Sequence, residues 1–136
     1  MLCLDTNVII AVLSERSPST ILRLKQEIRS GTDILVPAIV VHELRFGIAM
    51  STRQDANRRA VDAFLAGPVE IPNFDSNDAT EAADIRSYLK RQGTPIGPYD
   101  VLIAAQARRR AAILITGNVR EFRRVPGLAV QNWTEE

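Results

Sequence analysis

An apolar run of strand length, Leu2-Cys3-Leu4, meets a polar triplet, Asp5-Thr6-Asn7, and passes at once into a second apolar run, Val8 to Leu13. A short apolar segment broken by turn chemistry and resumed at helix length reads as a buried strand feeding straight into a helix. Asp5 then stands at the strand's C-terminal end, the edge of an open α/β sheet where ligands bind. Asp, Thr and Asn are also favoured helix N-caps, so Asp5 or Thr6 is equally placed to cap the helix that follows. The two readings divide on whether other carboxylates converge on Asp5.

The rest of the chain repeats the strand-then-helix pattern. Ser17-Pro18-Ser19 marks a break, and Ser19 or Thr20 is expected to cap a helix to about Ser30, with Ile21, Leu22, Leu24 and Ile28 on its inner face. Ile34-Leu35-Val36 reads as a short buried strand closed by Pro37, and the helical pattern from Ala38 to Ile48 places Glu43 near that strand's C-terminal end. A polar connection over residues 51–57 leads to a helix with Ala60, Val61, Phe64 and Leu65 inside, stopped by Gly67-Pro68. Val69-Glu70-Ile71 is a third short strand, at or near an edge because of its length and flanking prolines. Asp75 and Asp78 head a helix over about Ala79 to Gln92, and acids in a first turn are explained as caps. Pro98 opens the next helix and sets Asp100 at about its third position, with Arg108-Arg109-Arg110 at its end. Ala111 to Thr116 is a buried strand, Val119 to Phe122 a helical turn, Leu128 to Val130 a last strand, and Trp133 packs the tail. This alternation predicts a single α/β domain spanning 1–136, a mainly parallel central sheet flanked by helices.

Charge is distributed unevenly. Residues 1–85 hold 8 basic and 12 acidic side chains, whereas residues 86–124 hold 9 basic ones against Asp100 and Glu121. Arginine supplies 15 of the 17 basic residues, and its planar fork suits phosphate. A polyanionic partner is one reading of that region, a solvated charged surface the other, and the run 108–110 could grip RNA phosphates or simply finish a helix. The run Val8–Leu13 is too short to span a bilayer, and signal-peptide features are missing, so a cytoplasmic protein is expected. The single cysteine, Cys3, lies within an apolar strand and reads as a small core residue.

Right-handed crossovers bring every strand's C-terminal end to one edge of a parallel sheet, and so would gather Asp5, Glu43, Asp100, and Thr116 with Asn118. Three carboxylates together repel one another unless a cation sits between them. Oxygen ligands without histidine or cysteine select a hard ion, Mg²⁺ or Mn²⁺, which suits phosphodiester hydrolysis. His42 adjoins Glu43, but neighbouring helical residues point about 100° apart, so it reads as a packing or surface histidine.

Several motifs together carry a resemblance. Leu4-Asp5-Thr6-Asn7, Glu43-Leu44 with Gly47, Pro98-Tyr99-Asp100 with Ile103-Ala104-Ala105, and Thr116-Gly117-Asn118-Val119-Arg120-Glu121-Phe122, followed by Val125-Pro126-Gly127-Leu128 and Asn132-Trp133, resemble a PIN-domain ribonuclease. More narrowly, they look like the VapC toxins of bacterial toxin-antitoxin pairs, over nearly the whole chain. The resemblance implies a catalytic set of Asp5, Glu43, Asp100 and Asn118. Asp5, Glu43 and Asp100 would bind the metal, Thr6 and Asn7 would orient the first acid, and Thr116 and Asn118 would complete the pocket. It also implies an Mg²⁺-dependent endoribonuclease acting on structured RNA such as tRNA, a homodimer, and inhibition by a cognate antitoxin protein. Many relatives have an acid at the fourth point, where this chain has the amide Asn118 with Glu121 three residues on, so one Mg²⁺ is predicted rather than two. Two other readings remain: a haloacid-dehalogenase-type phosphatase, which would want a second Asp where Asn7 stands, and a catalytically weak PIN-like module that binds RNA or protein without cutting.

Overall fold

The computed structural model describes residues 1–134. The elements follow in chain order as β1 (Leu2–Leu4), α1 (Thr6–Leu13), α2 (Pro18–Arg29), β2 (Ile34–Leu35), α3 (Ala38–Ala49) and α4 (Gln54–Leu65). After these come α5 (Ser76–Arg91), α6 (Pro98–Arg109), β3 (Ile113–Ile115), α7 (Val119–Phe122) and β4 (Ala129–Gln131). The four strands form one parallel sheet in the order β2-β1-β3-β4, with Cys3 paired to Leu35 on one side and Leu114 on the other. The expected α/β architecture with helices around a parallel sheet is therefore present.

That order has a consequence for function. The chain leaves β1 for β2 on one side, and β3 later takes the other side of β1, so the strand order reverses between β1 and β3. Such a switch point opens a crevice at the strands' carboxyl ends, because the connections depart in opposite directions. Asp5 and Thr116 are the first residues beyond those two strands.

The core explains why the strands can be so short. All three residues of β1 are buried, together with Ile34, Leu35, Leu114 and Ile115, and helices α1, α3 and α6 cover them through Ile9, Val40, Leu44, Ile103 and Ala104. Small residues on α6, Ala104, Ala105 and Ala107, are all fully buried and let it approach the sheet closely. Cys3 belongs to this core; burial, and then the Asp5 charge, push its thiol up to about 12, so no reactive thiolate forms.

Three local expectations need correction. Helix α2 begins at Pro18 with Ser17 at the cap, not at Ser19 or Thr20, because proline's fixed φ suits the first helical position. Thr20 is instead buried and donates to the Trp133 carbonyl (3.4 Å), tying the tail to α2. The expected third strand is only a bridge: Glu70 pairs with Leu35, donating to Ile34 O and accepting from Val36 N, each at 2.8 Å. Pro68 and Pro72 flank it and supply no N–H groups, which limits pairing to that residue. The last strand runs one residue later than expected, Ala129–Gln131, because its register places Ile115 opposite Gln131.

Candidate active site

At the end of β1 the backbone still belongs to the sheet, with Asp5 N donating to Ile115 O at 3.0 Å, while its carbonyl already accepts from Val8 and Ile9 of α1. Asp5 is thus the N-cap, as one reading of the sequence expected, but its side chain does more than cap. Oδ1 accepts from the adjacent Thr6 N (2.8 Å) and Oδ2 accepts from Thr116 Oγ1 (2.7 Å) beyond β3. The two halves of the switch point are joined through this buried carboxylate.

The bonding extends in both directions. Thr6 Oγ1 donates to Glu43 Oε1 at 2.7 Å, linking α1 to α3. On the other side Asn118 N donates to Thr116 Oγ1 at 3.0 Å, and Asn118 Nδ2 donates to Glu121 Oε2, also at 3.0 Å. One continuous chain therefore runs Glu43, Thr6, Asp5, Thr116, Asn118, Glu121, across positions far apart in sequence. Asn7 is exposed and takes no part, because one step along the helix turns its side chain about 100° from that of Thr6. The resemblance implied that Thr6 and Asn7 orient Asp5; the hydrogen bonds to its carboxylate come from the Thr6 N–H and the Thr116 hydroxyl.

Asp100 completes the group from the first turn of α6. Gly97 caps that helix, and a Cβ there would stand 3.2 Å from Asp100 Oδ2, so glycine lets the incoming loop pass close to the carboxylate. Burial, followed by the charges of Asp5, Glu43 and Glu121, pushes the Asp100 carboxyl up to about 6. The influence of all three neighbours shows that the four acids share one electrostatic neighbourhood. Asp5 is likewise raised, first by burial and further by Glu43, against the opposing hydrogen bonds of Thr116 and Thr6. Glu121 is the member that sequence reasoning left without a role. The signal was its spacing from Asn118, since three residues along a helix return to the same face.

The arginine run lies elsewhere. Arg108 donates to Glu81 and Asp84, both at 2.7 Å, and to Pro126 O at 3.0 Å. Arg109 and Arg110 converge on the fully buried Asp78, at 2.9 and 2.8 Å. All three guanidiniums are committed to the α5–α6 interface, which decides the question in favour of a helix-ending, structural role. Asp75 and Asp78 cap α5 as expected, and they do so as a capping box, each carboxylate accepting from the other's backbone N–H. His42 is exposed and packs its ring against Tyr99.

Among the described residues no three His, Cys, Asp or Glu side chains close into a ready-made metal cage. What the fold presents is a set of carboxylates at a sheet switch point, Asp5 buried and Glu43, Asp100 and Glu121 half-buried, all oxygen donors. Such a set fits a hard cation that keeps several of its waters, as Mg²⁺ does, better than one that needs a full protein cage.

A parallel α/β sheet with an acid-lined switch point defines a class, and the PIN domain model matches this chain over residues 2–128. The tRNA(fMet)-specific endonuclease VapC of Shigella flexneri is 33% identical over 131 residues, covering 96% of both chains. Ribonuclease VapC2 of Haemophilus influenzae is 34% identical over 130 residues, again covering 96% of each. The crystal structure of VapBC2 from Rickettsia felis, bound to a DNA fragment from the promoter, superposes with a TM-score of 0.90 at 30% identity, covering 97% of this chain and 98% of that one. The chain belongs to the PIN domain family, on its VapC ribonuclease branch.

Proposed function

We propose that this protein is an endoribonuclease toxin that hydrolyses phosphodiester bonds in structured RNA such as tRNA, using Mg²⁺ or Mn²⁺ held by Asp5, Glu43 and Asp100. The observation that carries this reading is the single hydrogen-bonded chain of Glu43, Thr6, Asp5, Thr116, Asn118 and Glu121, with Asp100 beside it under the charge of three other carboxylates. Nothing in a stability argument favours bringing four acids together without a cation.

Each residue has a task that its contacts support. Thr6 and Thr116 leave the second lone pair of each Asp5 oxygen free while fixing the carboxylate's orientation. Thr6 also steadies Glu43, so one residue sets the spacing of two ligands. Asn118 is a positioning residue that holds Glu121 toward Asp100, and Glu121 supplies the fourth carboxylate that the amide itself lacks. A divalent cation bound here would lower the pKa of a bound water and offset charge on the phosphate in the transition state.

The same reading includes a cognate antitoxin as inhibitor, because the superposing Rickettsia felis and Salmonella typhimurium structures are VapBC complexes. It also includes a homodimer working in the cytoplasm. No helix among the described residues is long and apolar enough to cross a membrane. The test is incubation of purified protein with total tRNA, with EDTA, and with Mg²⁺ or Mn²⁺ restored. Discrete fragments that vanish with EDTA and return with the metal are expected; intact RNA under every metal condition would leave the binding-only reading.

A further inference from the structure

The chain is poor in aromatics, 5% of residues, yet one of its two tyrosines stands exposed at the acidic site. Tyr99 is 49% exposed, immediately before Asp100, and His42 lies immediately before Glu43. Their rings form an edge-to-face pair, centroids 5.5 Å apart at 70°, which spans α3 and α6, the two helices that bring Glu43 and Asp100 to the site. An edge-to-face pair fixes both rings, and both residues stay exposed to a further partner. Leaving a large ring half in water has no benefit for folding.

Neighbouring helical residues point about 100° apart, so the ring pair lies beside the carboxylates and not among them. That offset suits a nucleotide, whose base and phosphate are separated by one sugar. Unpaired bases are recognised by stacking on Tyr and His rings, and the arginine run 108–110 is committed to Asp78, Glu81 and Asp84 and does not serve this strand. We propose that Tyr99, its ring held by His42, stacks an unpaired RNA base next to the phosphate received by the acidic pocket, so that the enzyme selects a looped or otherwise unstacked nucleotide. This rests on the RNA-hydrolase reading and adds a positioning residue to it.

The test uses full-length protein and a short single-stranded RNA carrying 2-aminopurine, whose fluorescence falls on stacking, with Ca²⁺ replacing Mg²⁺ to separate binding from cutting. Wild type and Tyr99→Trp are expected to quench the probe. Tyr99→Leu, which keeps bulk but removes the ring, is expected to abolish quenching and weaken binding roughly 5- to 100-fold. His42→Ala, which leaves Tyr99 unheld, should fall between them. Equal quenching by wild type and Tyr99→Leu would overturn the inference, as would no quenching by wild type. So would unchanged RNA binding by Tyr99→Leu together with a shift of the protein alone to a smaller sedimenting species, which would make the pair a protein contact. Parallel incubation in Mg²⁺ keeps the two readings apart: stacking without cleavage counts against hydrolysis only, and cleavage that Tyr99→Leu leaves unchanged counts against stacking only.

Discussion

Helix α6 has an acidic cluster at each end, and the two are held in opposite ways. At its C-terminal end Asp78 is fully buried, yet Arg109 and Arg110 both donate to it. Burial alone would raise that carboxyl, but the Arg110 and Arg109 guanidiniums and the Asp75 backbone N–H outweigh it and hold it well below the usual carboxylate range. At the N-terminal end Asp100 faces Asp5, Glu43 and Glu121, and its carboxyl is pushed up to about 6. One protein therefore neutralises one set of acids completely and leaves the other set bare. The bare set is the one at the switch point of the sheet, at the strands' carboxyl ends. Charge that is paired serves stability; charge kept unpaired at such a position is available for a ligand.

The contrast is broken most severely by removing one carboxylate from each cluster. Asp5→Asn keeps the shape and one acceptor but loses the charge, and it should reduce RNA cleavage roughly 10²- to 10³-fold in a gel-based assay, with the thermal transition largely intact. Asp78→Asn should do the reverse. It leaves Arg110 without a carboxylate partner and Arg109 with Asp75 alone, and losing a partner from a buried pair costs about 3 kcal/mol, so Tm should fall by roughly 10 °C while cleavage at low temperature persists. Loss of cleavage in the second variant at a temperature where it is folded would show that the two clusters are not functionally separate.

A smaller effect is expected one bond away from the acids. Thr116→Val removes the hydroxyl that donates to Asp5 and accepts from Asn118. Metal affinity by calorimetry should drop about 10- to 100-fold, the usual range for a residue that orients a ligand. Thr116→Ser should restore most of it, because the hydroxyl and not the methyl carries both bonds.

The sequence already carried most of this asymmetry, though not all of it. Asp5, Glu43 and Asp100 were legible as candidates because Asp5 closes a strand, Asp100 lies in a helix's first turn and Glu43 lies in the helix that follows a strand, and a parallel sheet collects such positions at one edge. Glu121 was not, because its task depends on the amide of Asn118, and a three-residue spacing reads equally well as a solvated helical turn. Nor was the commitment of Arg108, Arg109 and Arg110 legible: they face α5, whose Asp78, Glu81 and Asp84 lie more than twenty residues earlier, and local sequence says nothing about which helix packs there. Short edge pairing at Glu70 was overestimated for a similar reason, since a strand's length depends on its partner as well as on its own residues.

Proton competition offers a gentler probe. Because Asp100 titrates near 6 without metal, Mg²⁺ or Mn²⁺ must displace a proton from it in mildly acidic solution. Affinity should be flat above about pH 7 and weaken by roughly tenfold per unit below about 6, the slope for one proton released. Asp78, held far lower by its arginines, stays ionised throughout that window, so its own contribution to stability should stay constant across it.

The smallest effect has the least intuitive sign. A carboxyl whose folded pKa lies above its ordinary value of 3.8 favours the native state only when protonated, and that stabilisation is lost as pH rises through about 6. At pH 7.5 the ionised Asp100 therefore opposes folding of the metal-free protein, and Asp100→Asn should raise Tm. Solvent screening at this half-buried position keeps the gain below about 1 kcal/mol, a few degrees at most. The gain should shrink toward pH 4, where wild type is protonated as well. Adding Mg²⁺ at pH 7.5 should then reverse the order, because binding to the native state stabilises wild type by mass action and the variant has lost a ligand. A variant that remained the more stable of the two at saturating metal would mean that Asp100 is not among the residues holding the ion.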